Sequence, residues 1–327
     1  MERMRAGRLV ELGRMVCEQA PVPTPGDGEL LVRTAYASIC GSDLHMIYLG
    51  IPFPGVPQPP GFPGHEGIGT VVQSRHTDFA EGDLVLTMPF PPESFCFAEL
   101  QCVHGRFCIK LPPVDVPPLE LMMAQQLGTV IFALRKRPID VVGKTVMVMG
   151  QGSAGMFFAY LVKRAGAARV IASDLSEARL AQGRRMGVDV ALRAEGDNVR
   201  EAVMDHTGGK GADFLIEAVG RKETLVQTVD LVKAGGDMLL FGLPDSIQPV
   251  PFNFHDFFRK SVTAHSAHGA QHEAGLVSFR TALDLIVRRQ IDVAPLVSHV
   301  LSVEQVGEAI EMANARSNNA LKVSLSF

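Results

Sequence analysis

Cysteine is scarce in this chain, and no charge of either sign predominates. There are five cysteines, Cys17, Cys40, Cys96, Cys102 and Cys108. An odd number without a secretory leader argues against a disulfide framework. Cys96, Cys102 and Cys108 are evenly spaced, but no C-x-x-C pair occurs, and structural zinc sites need such short spacings. We read those three as buried, inert thiols. Lys+Arg total 31 and Asp+Glu 35, a formal net charge of −4. No basic tract occurs, which removes the electrostatic footprint of a nucleic-acid partner. The opening "MERMRAGRLVELGRMV" has no apolar signal-peptide core, and no run approaches the roughly 20 apolar residues of a membrane span. The expectation is a cytoplasmic protein with no membrane partner. Internal repeats and low-complexity segments are also absent.

What remains is an ordinary globular composition, 46% hydrophobic and 20% charged over 327 residues, enough for about two domains. "ELLVRTAYA" (29–37), "GIGTVVQS" (67–74) and "GDLVLTM" (82–88) read as strands bounded by turn residues. The Pro- and Gly-rich stretch 48–64 between them is a loop, and loops of that length tend to be functional. The first 110 or so residues are therefore mainly β. "LELMMAQQLGTVIFALRK" (119–136) reads as helical. From Lys144 onward, short apolar strands such as "KTVMVMG", "RVIASD", "ADFLIEAVG" and "DMLLFGLP" alternate with helical stretches, including "KETLVQTVDLVKAGG". That alternation indicates an α/β doubly wound parallel sheet. Residues 275–290 and 302–316 read as amphipathic helices, and "ALKVSLSF" as a closing strand.

Within the alternating region, "MVMGQGSAGMFFA" carries Gly150, Gly152 and Gly155 in the G-x-G-x-x-G spacing. The motif follows a strand and opens a helix, the context that gives it meaning. The first glycine allows the tight turn, the second lets backbone approach a pyrophosphate, and the third lets helix and strand pack closely. The helix N-terminus then offers free N–H groups to the phosphates. Asp174 ends the next strand, where a carboxylate accepts hydrogen bonds from a ribose 2′-hydroxyl and repels a 2′-phosphate. NAD is expected over NADP, although Arg179 nearby softens that preference.

The mainly-β part contains "ASICGSDLH" (37–45) and "GFPGHEGIG" (61–69). Cys40 and His65 are zinc-type ligands placed on separate loops beside glycines, with Glu66 as a further or reserve ligand. Each alone would be unspecific. A hydride acceptor, however, needs a partner that polarises an alcohol and takes its proton, and zinc does the first by lowering the pKa of a bound hydroxyl. Ser42 and His45 can relay the proton. Asp43 can orient a histidine ligand. The bland alternative for Ser42 and His45 is loop-stabilising hydrogen bonds.

Together these motifs resemble the zinc-dependent medium-chain dehydrogenase/reductase family of alcohol and polyol dehydrogenases. The resemblance runs over essentially the whole chain, through "PVPTPGDGELLVRTAYASICGSDLH", "PGHEGIGTVV", "GDLVLT", "FAELQCV", "MGQGSAG", "DFLIEAVG", "KAGGDMLLFGLP" and "ALKVSL". It implies a GroES-like catalytic domain (1–127), interrupted by a Rossmann NAD-binding domain (128–268) and resumed by residues 269–327, with the active site in the cleft between. It implies zinc on Cys40, His65 and Glu66, and a proton relay through Ser42 and His45. It also implies Thr129 packed against the nicotinamide and Lys322 near the cofactor. The family's four-cysteine structural-zinc lobe is missing, since only "PFPPESFCFAEL" bridges that gap, so at most one zinc, a catalytic one, is expected. The third ligand position, usually Cys, Glu or Asp, is Gln125, a weaker donor. Either Glu66 coordinates directly with water as fourth ligand, or zinc is held weakly. Tyr48, Ile51, Phe53, Met88 and Phe95 are candidate lining for a neutral secondary alcohol, polyol or ketone, and core packing explains each of them equally well. The resemblance further implies a homo-oligomer, dimer or tetramer, with "DMLLFGLP" as the candidate edge strand. A zinc-free reductase of the same fold and a non-catalytic nucleotide-binding protein are the competing readings.

Overall fold

The computed structural model describes residues 2–195 and 198–327. Its elements in chain order are β1 (Arg3–Glu11), β2 (Arg14–Pro21), β3 (Glu29–Ser38), α1 (Gly41–Leu49), β4 (Gly67–Ser74), β5 (Leu84–Thr87), β6 (Leu100–His104), β7 (Cys108–Lys110), α2 (Pro118–Met122) and α3 (Ala124–Lys136). There follow β8 (Thr145–Met149), α4 (Ser153–Arg164), β9 (Arg169–Asp174), α5 (Glu177–Arg185), β10 (Val190–Arg193), α6 (Asn198–His206), β11 (Ala212–Glu217), α7 (Lys222–Leu231), β12 (Val232–Leu240), α8 (Phe254–Arg259) and β13 (Thr263–Ser266). The chain closes with α9 (Val277–Val287), β14 (Val297–Ser302), α10 (Val306–Ala315) and β15 (Lys322–Ser326). It divides into two compact units, Met1–Thr129 with Gly269–Phe327, and Val130–His268.

The first unit is built on a seven-stranded sheet in the order β14-β15-β3-β4-β5-β7, with β6 also pairing β3, and on the β1–β2 hairpin. Its pairings are antiparallel except β14 with β15. In the long central strand β3, Leu30, Leu31, Val32 and Thr34 are buried and Arg33 reaches water. Leu30 and Val32 join a core with Val71, Val85, Val103 and Phe107. A second core gathers around Phe62, Phe97, Ile47 and Leu325. The register Ser324↔Ser38 brings β15 alongside the end of β3, which matters for the site below.

The second unit is a six-stranded, wholly parallel sheet in the order β10-β9-β8-β11-β12-β13. Strands covered by helices on both faces are apolar throughout rather than alternating. In β8, "TVMVM", four of the five residues are buried. The order turns back between β8 and β11, the switch point at which doubly wound sheets bind ligands.

Several expectations shift in detail. "ASICGSDLH" is not a loop: past Ser38 the chain turns at Cys40 into α1, which the left-handed Gly50 closes (φ 67°). The glycine and serine at its start read as turn residues and hide the helix. The helical stretch 119–136 is two helices broken at Met123. "KETLVQTVDLVKAGG" stops being helical at Leu231 and enters β12 directly. The "DMLLFGLP" strand is not an edge, since β12 is flanked by β11 and β13. The edge on that side is β13, whose "TAHS" has no apolar run to announce a strand, and β10 is the other edge.

Candidate functional site

In the first unit, Cys40 Sγ, a ring nitrogen of His65 and a carboxylate oxygen of Glu66 all lie within 4.8 Å of one another. Bonds of 2.0–2.3 Å in tetrahedral array set ligand atoms about 3.5 Å apart, so this group is slightly open but sized for one ion. Packing places the donors. Cys40 immediately precedes the first turn of α1. His65 and Glu66 sit between two crowded glycines. A Cβ on Gly64 would come within 2.4 Å of the Phe97 ring, and one on Gly67 within 2.6 Å of Thr87 Oγ1. The "GHEG" segment is thus pressed against the core, and both its polar side chains are buried.

Asp43, with no exposed surface, organises the donors. Its Oδ2 accepts the Cys40 N–H at 2.7 Å, and its Oδ1 lies 2.7 Å from His65 Nδ1. Burial opposes a proton on His65, but Asp43 and Cys40 outweigh it and hold the imidazole well above its usual pKa. The other ring nitrogen, Nε2, is 3.2 Å from Ser42 Oγ. Ser42 and His45 are three residues apart on α1 and so share a helix face. Both are half-buried.

Glu66 is held from two strands. Its Oε2 accepts the Ser38 hydroxyl and pairs with the ammonium of Lys322, and its Oε1 is buried with no hydrogen-bond partner. Burial would raise Glu66, yet Lys322 and His65 keep its carboxyl below the usual range. Lys322 is only 2% exposed, so it is no solvated surface lysine; its ammonium is spent on Glu66. With Cys40 as thiolate and His65 neutral, this pocket carries three negative charges (Cys40, Asp43, Glu66) against one positive. The surplus of two matches a divalent cation. With Cys40 as thiol and His65 protonated, the same pocket is neutral. The donor set, the orphan Oε1 and the charge balance all fit zinc.

Gln125 is in the first turn of α3, 2% exposed. Its backbone carbonyl accepts the Thr129 hydroxyl at 3.1 Å, so Thr129 is engaged within its own helix. Among the proposed lining residues, Phe53 and Phe95 stack edge-on against Phe62, Tyr48 packs on the same core, and Met88 is fully buried. Ile51 is half-buried in the loop after α1. Phe62, the hub of that packing, was missed in the sequence because it sits among prolines. Of the three evenly spaced cysteines, Cys96 and Cys108 are buried as expected but Cys102 is only half-buried; burial pushes the thiols of Cys96 and Cys108 far up and that of Cys102 to about 12.

In the second unit the glycine turn has the geometry its spacing predicts. Gly150 adopts φ +90°. A Cβ on Gly155 would sit 1.9 Å from the Gly150 carbonyl oxygen, whereas one on Gly152 would meet nothing within 4 Å. Helix α4 starts immediately after Gly152. Open space at Gly152 in front of a helix N-terminus is the cradle a pyrophosphate needs. Asp174 closes β9, and both its oxygens already accept backbone N–H groups, from Gln151 at 2.7 Å and Ser176 at 2.9 Å. A carboxylate has about four acceptor positions, so capacity for a ribose hydroxyl remains. Arg179 lies half-buried on α5. The residues present fit a dinucleotide.

Comparison with known proteins agrees with both units. Residues 26–114 match the alcohol dehydrogenase GroES-like domain, and residues 154–288 match the zinc-binding dehydrogenase domain. An alcohol dehydrogenase of Cupriavidus necator is 26% identical over 367 aligned positions, covering 98% of each chain. Human sorbitol dehydrogenase is 27% identical over 335 positions, 91% of this chain and 89% of that one. Among solved structures, alcohol dehydrogenase TADH from Thermus sp. ATN1 superposes with a TM-score of 0.82 at 25% identity, covering 99% of both chains.

Proposed function

We propose, from the premise that the chain belongs to the zinc-dependent medium-chain dehydrogenase/reductase family, that it transfers hydride between NAD(H) and a neutral secondary alcohol or polyol and the corresponding ketone. The observation that carries this reading is the convergence of Cys40, His65 and Glu66 in a buried pocket with two surplus negative charges.

Cys40, His65 and Glu66 would hold the zinc, with Gln125 or water completing the set. When bound, the metal lowers the pKa of an alcohol hydroxyl and the nicotinamide supplies the hydride acceptor. The chain's own residues do the rest. Asp43 fixes the His65 ring so that Nε2 is the donor, the role of an outer carboxylate. Ser42, next to Nε2, takes the substrate proton, and His45 one turn along α1 passes it on. The Gly150–Gly155 turn seats the pyrophosphate, and Asp174 receives the ribose hydroxyls, which favours NAD over NADP. Thr129 and Lys322 are the further cofactor-side candidates. Lys322 acts mainly by keeping Glu66 ionised and in place.

The test is Cys40→Ala. It should lose bound zinc and NAD reduction across a broad alcohol panel while NADH binding, followed by fluorescence, stays intact. Full turnover in that variant would refute the mechanism. Metal analysis of gently purified wild type separates this reading from a zinc-free reductase, the reading that Gln125 favours. Tight NADH binding with silence across alcohols and ketones would favour a non-catalytic role.

A further inference from the structure

Glu217, the last residue of β11, lies on the switch point of the parallel sheet. It is in register with Met149 of β8 on one side and Leu240 of β12 on the other. It has no exposed surface. A carboxylate so placed needs partners, and it has them. Its Oε1 accepts the N–H of Val219 at 3.0 Å, the N–H of Gly220 at 2.9 Å and the Thr224 hydroxyl at 2.7 Å, and its Oε2 accepts the Gly220 N–H at 3.1 Å. Its backbone carbonyl accepts the N–H groups of Phe241 and Gly242, each at 2.9 Å. One residue thus fixes the loop after β11 with its side chain and the loop after β12 with its main chain.

Those loops meet backbone to backbone. A Cβ on Gly220 would lie 2.0 Å from the Leu243 carbonyl oxygen, and one on Gly242 would lie 2.1 Å from Gly220 N. On the other side Val219 abuts the phosphate turn, since a Cβ on Gly150 would come within 2.6 Å of Val219 Cγ2. A doubly wound sheet seats one mononucleotide on each half. Asp174 at the end of β9 marks the adenosine half, so the loops after β11 and β12 receive the other.

We propose that Glu217 is a positioning residue for the nicotinamide half of the dinucleotide, pinning residues 218–220 and 241–242 into the rim on which that half rests. The proposal rests on the dinucleotide reading above. Glu217 is too deeply buried to touch the cofactor itself, so it acts only through these loops.

The experiment titrates NADH and ADP, the latter a probe of the adenosine half alone, against wild type and variants. Glu217→Ala strands buried N–H groups and should raise the Kd for NADH about tenfold or more while leaving that for ADP within about threefold. Glu217→Gln keeps one carbonyl acceptor and should recover most of the NADH affinity. Thr224→Val removes a single donor and should weaken NADH alone, by about two- to fivefold. If Glu217→Ala does not fold, the ratio in Thr224→Val decides. Equal weakening of both ligands, or unchanged NADH binding in folded variants, overturns the proposal. Wild type that binds neither ligand would instead overturn the functional reading on which it stands.

Discussion

Asp43→Asn tests the proposed metal site most directly, because the substitution changes charge and donor pattern but hardly changes volume. Asp43 is wholly buried, and its two oxygens face two different groups, the Cys40 N–H and His65 Nδ1. Asparagine offers one carbonyl oxygen and one NH₂. Whichever way the amide turns, one of the two groups is left facing a donor. A buried donor without an acceptor costs about 1–3 kcal/mol, which corresponds to a factor of roughly 5–150 in an equilibrium constant. Losing a carboxylate behind a histidine ligand commonly weakens metal binding by about 10–100-fold, which falls inside that range.

The cost divides between folding and metal affinity, so both must be measured. Zinc affinity is read by competition with a chromophoric chelator, and thermal unfolding is followed on the metal-free protein. The expected result is zinc affinity lower by about 10–100-fold with a smaller loss of metal-free stability. Asp43→Ala should be worse on both counts, because it strands both groups. Zinc affinity in Asp43→Asn within about threefold of wild type, with unfolding unchanged, would refute the idea that Asp43 orients a ligand.

Two further outcomes follow from the second unit. Gly155→Ala forces a Cβ to within 1.9 Å of the Gly150 carbonyl oxygen, backbone that has nowhere to go; it should cost about 3 kcal/mol or more and abolish NADH binding, as calorimetry and fluorescence titration would show. Asp213 on β11 accepts the Thr145 N–H of β8 at 2.7 Å and pairs with Lys233. Burial opposes its ionisation, but those contacts win and hold its carboxyl below the usual carboxylate range. A depressed carboxylate contributes stability that is present above the unfolded pKa and is lost as pH falls through the folded one. The stability gap between wild type and Asp213→Asn, about 1 kcal/mol near neutrality because the pair is partly exposed, should therefore close as pH falls from about 5 to below the folded value. A gap that widens on acidification would contradict this assignment.

The sequence reveals those parts of the site that depend on residue type and local spacing. Gly150, Gly152 and Gly155 could be read because each answers a steric demand only glycine meets. Cys40 and His65, which the structure brings together with Glu66, stand out in the sequence because few side chains bind zinc. Asp43 stands out as a candidate support for a histidine ligand because it lies three residues from Cys40, although its contact with His65 spans separate segments. Helix α1 was not legible: its first turn is Gly-Ser-Asp, which favours a turn until the buried Met46 and Ile47 anchor it. Glu217 escaped functional notice because its importance comes from register. Only the pairing of β11 with both β8 and β12 puts it at the switch point. The edge strand escaped for a related reason, since β13 is defined by its neighbour β12 rather than by its own pattern.

Lys322 shows how far long-range pairing can change a residue's meaning. In the sequence it is a lysine near the C-terminus, a type that usually ends in water. Strand β15 instead pairs with β3 and carries Lys322 into the core beside Ser38, where both hold Glu66 Oε2. The other oxygen, Oε1, is left without a partner. The division of labour follows from charge. A buried carboxylate next to a thiolate and Asp43 would be driven to protonate, and a protonated Glu66 is a poor ligand. The ammonium of Lys322 keeps it ionised by pairing with one oxygen and leaves the other free for the proposed metal. Gln125, the neutral and weaker donor that also admits the zinc-free reading, adds no negative charge to a pocket in which Cys40 as thiolate, Asp43 and Glu66 outweigh Lys322 by two.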